Sequence, residues 1–129
     1  MVRKASGRGV MAVVLVLDDV TDAVLLVKRL VQGMGHQVVG FTEEEEAISY
    51  MNSHSVDLAI IDVKLKRMNG LDVLEEMKRV APGLRVIMLT GYPTLDSAQE
   101  AYRLGASDYC VKPVDIDELE EKVERALRR

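Results

Sequence analysis

MAVVLVLDD, residues 11–19, is an apolar run that stops on two adjacent acids, Asp18 and Asp19. Seven consecutive apolar residues rich in valine read as a strand covered on both faces, as strands of parallel sheets are. The same pattern returns three times. Residues 58–61 (LAII) lead into Asp62, residues 86–89 (VIML) into Thr90, and residues 109–111 (YCV) into Lys112. If the four runs lie parallel in one sheet, these polar groups meet beyond its carboxyl end, where open α/β sheets bind their ligands.

Between the runs the chain supplies one helix at a time. Ala23, Val24, Val27, Leu30, Val31 and Met34 recur at helical spacing with Lys28 and Arg29 on the other face, and Gly33 and Gly35 end the segment. Residues 36–40 form a short strand, and residues 43–52 bring Ala47, Ile48 and Met51 to one side of a second helix. Asn69-Gly70 breaks the chain ahead of Leu71, Leu74, Met77 and Ala81, and Pro82-Gly83 closes this third helix. A strand at 84–89, a helix at 94–104 and a strand at 107–111 follow. Asp115 with Glu118 forms a capping box for a last helix whose buried stripe is Ile116, Leu119, Val123, Ala126 and Leu127. Five strand-then-helix units without an internal repeat predict an α/β domain, with a parallel sheet and helices on both faces.

A chain of 129 residues, 48% hydrophobic and 29% charged, suits one domain with a proper core. The net charge of −4 gives no footprint for direct nucleic-acid binding or for an anionic membrane surface. Cys110, the sole cysteine, sits inside an apolar run and reads as an inert core residue. Arg3, Lys4 and Arg8 ahead of an apolar stretch imitate a signal peptide. That stretch runs straight into Asp18 without a small-residue cleavage site, and it is too short to cross a membrane. The expectation is a flexible basic lead-in over residues 1–10, one domain over 11–129, and a cytoplasmic location.

The clustered groups carry a chemistry. Two carboxylates about 4 Å apart repel by roughly 4 kcal/mol at an effective dielectric near 20, so three together call for a compensating cation. Oxygen donors without histidine or cysteine suit a hard ion such as Mg²⁺. One carboxylate then serves as nucleophile toward phosphorus, while Lys112 and Thr90 contact phosphoryl oxygens.

Leu17-Asp18-Asp19, Ile61-Asp62, Leu89-Thr90-Gly91 and Val111-Lys112-Pro113, in this order, resemble the response-regulator receiver domains of two-component signalling. The resemblance covers about residues 11–129 and implies a flavodoxin-like, doubly wound (βα)5 fold with a five-stranded parallel sheet of order 2-1-3-4-5. It implies a module that is not a conventional enzyme but promotes its own aspartyl phosphorylation and dephosphorylation. Asp62 would be the phosphoacceptor, with Mg²⁺ held by Asp19, Asp62 and the backbone carbonyl of Lys64, and by Asp18 mainly through water. Lys112 would bind phosphoryl oxygen, Thr90 would move toward the phosphate, and Tyr109 would be the switch aromatic. The Lys112–Pro113 peptide would be cis. A sensor histidine kinase or histidine phosphotransfer protein would donate the phosphoryl group. A downstream protein or output domain would read a face containing Tyr102, Arg103, Ser107 and Tyr109, which is also the place for a phosphorylation-dependent homodimer. Lys64 and Tyr92 occupy positions that tune acyl-phosphate hydrolysis in this family, and two long side chains there imply a longer-lived phosphorylated state than in fast chemotaxis regulators.

Blander assignments compete at several positions. Asp18 and Asp19 would cap the first helix, and Glu43, Glu44, Glu45 and Glu46 would merely complement the dipole of the second. His36 and His54 precede strands, at the end of the sheet opposite the acids, and are given no role. Arg125, Arg128 and Arg129 close the last helix and stay solvated. An alternative function is a phosphorylation-independent, receiver-like interaction module. A phosphatase of the haloacid dehalogenase type wants a second carboxylate two residues after the nucleophile, where this chain has Lys64. Flavin binding would set Asp18 and Asp19 against a phosphate.

Overall fold

The computed structural model describes residues 3–4 and 10–128. Five strands, β1 (Val13–Leu17), β2 (Gln37–Phe41), β3 (Leu58–Asp62), β4 (Arg85–Thr90) and β5 (Asp108–Val111), form one sheet. All neighbours are parallel, in the order β2-β1-β3-β4-β5. The helices α1 (Thr21–Gly33), α2 (Glu44–Ser53), α3 (Gly70–Val80), α4 (Leu95–Arg103) and α5 (Ile116–Leu127) alternate with them. The order 2-1-3-4-5 implied by the resemblance is the order observed.

The strands are apolar on both faces because each face is a core. Leu15 and Leu17 of β1 point to the side covered by α2, α3 and α4, where they join Ala47, Met51, Leu74, Met77 and Ala101. Val14 and Val16 point to the other side and join Val24, Val27 and Val31 of α1 with Leu119, Val123 and Ala126 of α5. Every residue of β3, at the centre, is buried. Cys110 is a free, buried member of the second cluster, as expected, and burial pushes its thiol pKa up.

The flexible lead-in expected over residues 1–10 lies outside the described residues, apart from a two-residue antiparallel pairing of Arg3–Lys4 with Val10–Met11. Met11 belongs to that pairing, so β1 starts at Val13. Between them the Ala12 N–H donates to Nδ1 of His36 (3.1 Å), which takes the amide out of any strand ladder. His36 therefore has a structural task at the amino end of the sheet. Burial lowers its pKa more than Asp57 and Glu124 raise it, in keeping with a neutral ring that accepts a hydrogen bond. His54 stacks flat on Tyr50, with ring centroids 3.9 Å apart.

Other local expectations need correction. Ile116, the first residue of α5, is 56% exposed, and the buried stripe starts one turn in at Leu119. Asp115 does cap α5, accepting from the Glu118 N–H (2.9 Å), but the Glu118 carboxylate pairs with Lys122 (2.8 Å) instead of returning to complete a box. Arg125 stays exposed, as expected, and in addition is bonded to Asp108 (2.6 Å), which ties α5 to β5. Arg129 lies outside the described residues. Among the described residues no helix is long and apolar enough to cross a membrane.

Candidate functional site

The sheet ends deliver the site. Strand-type bonds continue one residue past three strands: Asp18 N–H to Phe41 O (3.2 Å), Val63 N–H to Leu89 O (2.8 Å) and Lys112 N–H to Thr90 O (2.7 Å). Asp18, Asp62 and Thr90 are consequently buried and fixed by the sheet itself. Asp18, Asp19 and Asp62 each offer a carboxylate oxygen, and these oxygens lie within 4.8 Å of one another. The Lys112 ammonium bridges two of them, at 2.6 Å from Asp18 Oδ2 and 3.1 Å from Asp62 Oδ2. The Lys112–Pro113 peptide is cis, as the resemblance implied.

The electrostatics follow from this crowding. Burial and the neighbouring Asp18 charge raise the pKa of Asp62, and the attraction of Lys112 only partly offsets them. Burial would lower the pKa of Lys112, but its bonds to Asp18 and Asp62 outweigh burial and leave it raised. One ammonium faces three acids here. An all-oxygen donor set of this size fits a hard divalent ion. Capping does not explain the acids, because α1 has Val20 at its N-cap and no side-chain cap bond. Asp18 Oδ1 instead accepts from the Val20 N–H (3.0 Å).

Two loops form the walls. The Lys64 N–H donates to Asp62 Oδ1 (3.3 Å), and the Lys64 ammonium sits 4.7 Å over the Tyr92 ring centroid. Thr90 Oγ1 accepts from the Tyr92 N–H (3.0 Å). Residues Lys64, Lys66, Arg67, Met68 and Tyr92 border a cleft of about 410 Å³ beside the acids. Gly70 begins α3 directly under this site. Its N–H reaches Val63 O (2.6 Å), and a side-chain Cβ there would overlap the carbonyl oxygen of Asp62.

Among the face residues, Tyr102, Arg103 and Ser107 are exposed, and Arg103 is hydrogen-bonded to Glu100. Tyr109 is half-buried, and its hydroxyl lies 2.7 Å from Ser97 Oγ of α4. Ser97 carried no distinguishing signal in the sequence. Glu44 did. It precedes Ala47 and Met51 by three and seven residues, so helical spacing sets it on their buried face, and the dipole assignment for it is incomplete. It is 2% exposed and accepts the N–H groups of Arg67 (2.8 Å) and Met68 (3.0 Å). Burial pushes its pKa up, but these amides and its own hold it below the ordinary glutamate value.

The family model described as the response regulator receiver domain matches residues 14–124. The transcriptional regulatory protein ZraR of Salmonella typhimurium is 32% identical over 120 residues, covering 93% of this chain and 27% of that protein. The DNA-binding transcriptional regulator NtrC of Escherichia coli is 36% identical over 115 residues, covering 89% and 24%. The chain thus spans about a quarter of the length of these relatives. A CheY-like response regulator receiver domain from Methanospirillum hungatei superposes with a TM-score of 0.87 at 30% identity, covering 91% of this chain and 94% of that one. A receiver domain from Clostridium thermocellum gives 0.86 at 33% identity, covering 92% and 96%.

Proposed function

Since this chain belongs to the response regulator receiver family, we propose that Asp62 accepts a phosphoryl group from a histidine kinase or histidine phosphotransfer protein. The observation that carries the reading is the Lys112 ammonium bridging Asp18 and Asp62 within a cluster of three carboxylates. One oxygen of Asp62 attacks phosphorus, the P–N bond of the phosphohistidine breaks, and its electron pair stays on the imidazole nitrogen, which takes up a proton. Lys112 then turns from the Asp62 carboxylate to a phosphoryl oxygen, and the Thr90 hydroxyl donates to another. Asp19, Asp62 and the Lys64 carbonyl would hold Mg²⁺ directly, and Asp18 through water. Bound there, the ion supplies positive charge to the acids and the phosphoryl oxygens.

The switch reading rests on the bond between Tyr109 and Ser97, which fastens β5 to α4. Movement of Thr90 toward the phosphate vacates space for Tyr109, breaks that bond and releases α4. To carry the population from 1:99 to 99:1, phosphorylation must favour the active form by about 5.5 kcal/mol, so several bonded contacts have to change together. The surface altered is that of Tyr102, Arg103, Ser107 and Tyr109, where an output domain, a downstream protein or a second copy docks.

Intact-protein mass after incubation with acetyl phosphate or phosphoramidate tests the reading. The expected result is a gain of one phosphoryl group that requires Mg²⁺ and is absent from Asp62→Asn. A folded, Mg²⁺-binding wild type that gains nothing from either donor would assign the chain to the phosphorylation-independent interaction modules instead.

A further inference from the structure

The loop from Lys64 to Asn69 carries the carbonyl assigned above to the metal, and this inference rests on that assignment. Its base is closed by the antiparallel bridge between Lys64 and Asn69 and by the bond from Gly70 N–H to Val63 O (2.6 Å). Nothing in its sequence, KLKRMN, stiffens the rest: it has no proline, and three of its six side chains are cationic and exposed. The tip is held from outside. Both tip amides, Arg67 and Met68, donate to one oxygen of Glu44, at the start of the neighbouring helix α2.

Placing that carboxylate in the interior is costly unless it is well bonded. Glu44 is buried to 2% exposure, and its oxygen is aimed at a loop on a different element. A glutamate serving only the α2 dipole would stand in water, as Glu45 and Glu46 do. We infer that Glu44 is a positioning residue for the phosphorylation site: by clamping the tip of the loop after β3, it fixes the Lys64 carbonyl for Mg²⁺ before the ion arrives. The clamp keeps the loop from relaxing when no metal is bound. Its loss lowers metal affinity rather than abolishing the fold, since the loop base and the apolar anchors Leu65 and Met68 remain. Groups bonded directly to a metal ligand are worth about 10–100-fold in affinity, and Glu44, which acts on the ligand through the loop tip, belongs at the low end of that range.

Two substitutions separate reach from charge. Glu44→Asp keeps the charge and shortens the side chain by one methylene, whereas Glu44→Gln keeps length and acceptor and removes the charge. Mg²⁺ affinity would be read by amide NMR titration of each full chain, with the Arg67 and Met68 resonances reporting the clamp. Val123→Ala, in the core under α5, serves as a destabilised control. The expected result is about tenfold weaker Mg²⁺ binding with shifted tip amides in Glu44→Asp, and affinity within about threefold of wild type in Glu44→Gln and Val123→Ala. Wild-type affinity in Glu44→Asp, or an equal loss in Glu44→Gln or Val123→Ala, overturns the assignment to Glu44 while leaving the receiver chemistry standing. A wild type that binds no Mg²⁺ overturns both.

Discussion

Asp62 is held in a state that costs the protein stability. Its pKa is raised in the fold by burial and by Asp18, so the folded state binds a proton there more readily than the unfolded chain does. The contribution is fully favourable below the unfolded carboxylate range and is lost as pH rises through the folded value. At neutral pH the ionised group therefore works against folding until a cation arrives. Asp62→Asn should raise the stability of the metal-free protein on the order of 1 kcal/mol at neutral pH, the scale of an undercompensated buried charge. Urea denaturation read across a pH series checks this, and the gap between variant and wild type should narrow as the solution is acidified. Equal midpoints at neutral pH would mean that Lys112 already neutralises the site. Glu44 shows the opposite balance: a carboxylate equally buried, but supplied with amide donors that hold its pKa down. The two acids differ in what faces them: a second carboxylate beside Asp62, amide donors beside Glu44.

Between elements, close approach and loop contacts decide the geometry. Helix α3 starts where β3 ends with only the loop 63–69 between, and its first residue packs on the backbone of Asp62. Gly70→Ala forces a methyl into the Asp62 carbonyl and should destabilise by roughly 3 kcal/mol, the upper end of ordinary overpacking, with phosphorylation lost in parallel. Thermal denaturation and the mass assay read the two effects separately. Across the cleft, Lys64 on the loop after β3 lies over Tyr92 on the loop after β4, a pair that would cover the phosphoryl group proposed on Asp62. A cation–π contact of about 1 kcal/mol holding that cover corresponds to roughly a fivefold change in rate. Lys64→Ala and Tyr92→Ala should each hasten first-order loss of the phosphoryl group to about that extent, followed by mass after removal of the donor. Unchanged lifetimes would show that water reaches the acyl phosphate by another route.

For the molecule as a whole, the two cores share every strand: alternate residues of β1, β3 and β4 belong to the cluster under α2, α3 and α4 and to the cluster under α1 and α5. Neither layer can loosen without exposing the sheet to water, so unfolding should be a single transition, with coincident midpoints by far-UV circular dichroism and tyrosine fluorescence. The strands and the acid cluster were legible in the residues because a strand buried on both faces must be continuously apolar, and a polar residue that follows such a run lies at the strand's carboxyl end. With the strands parallel in one sheet, that placed Asp18, Asp62, Thr90 and Lys112 together. The exposure of Ile116 was not legible, since helical spacing gives a face but not whether the first turn on that face is covered. The diversion of Glu118 to Lys122 depended on a competing partner one turn away. Tyr109 could be singled out by family position, but its bond to Ser97 joins an edge strand to a helix whose rotation no local pattern specifies. Glu44 was half visible: spacing put it on the buried face, while the amides that satisfy it belong to a loop more than twenty residues further on. The sequence by itself determined the alternation of elements, the two-sided core and the edge where the acids gather, because these follow from local periodicity and from where apolar runs end. Only the tertiary structure decided which groups compensate which charges, since hydrogen bonds across the fold depend on distances that periodicity does not contain.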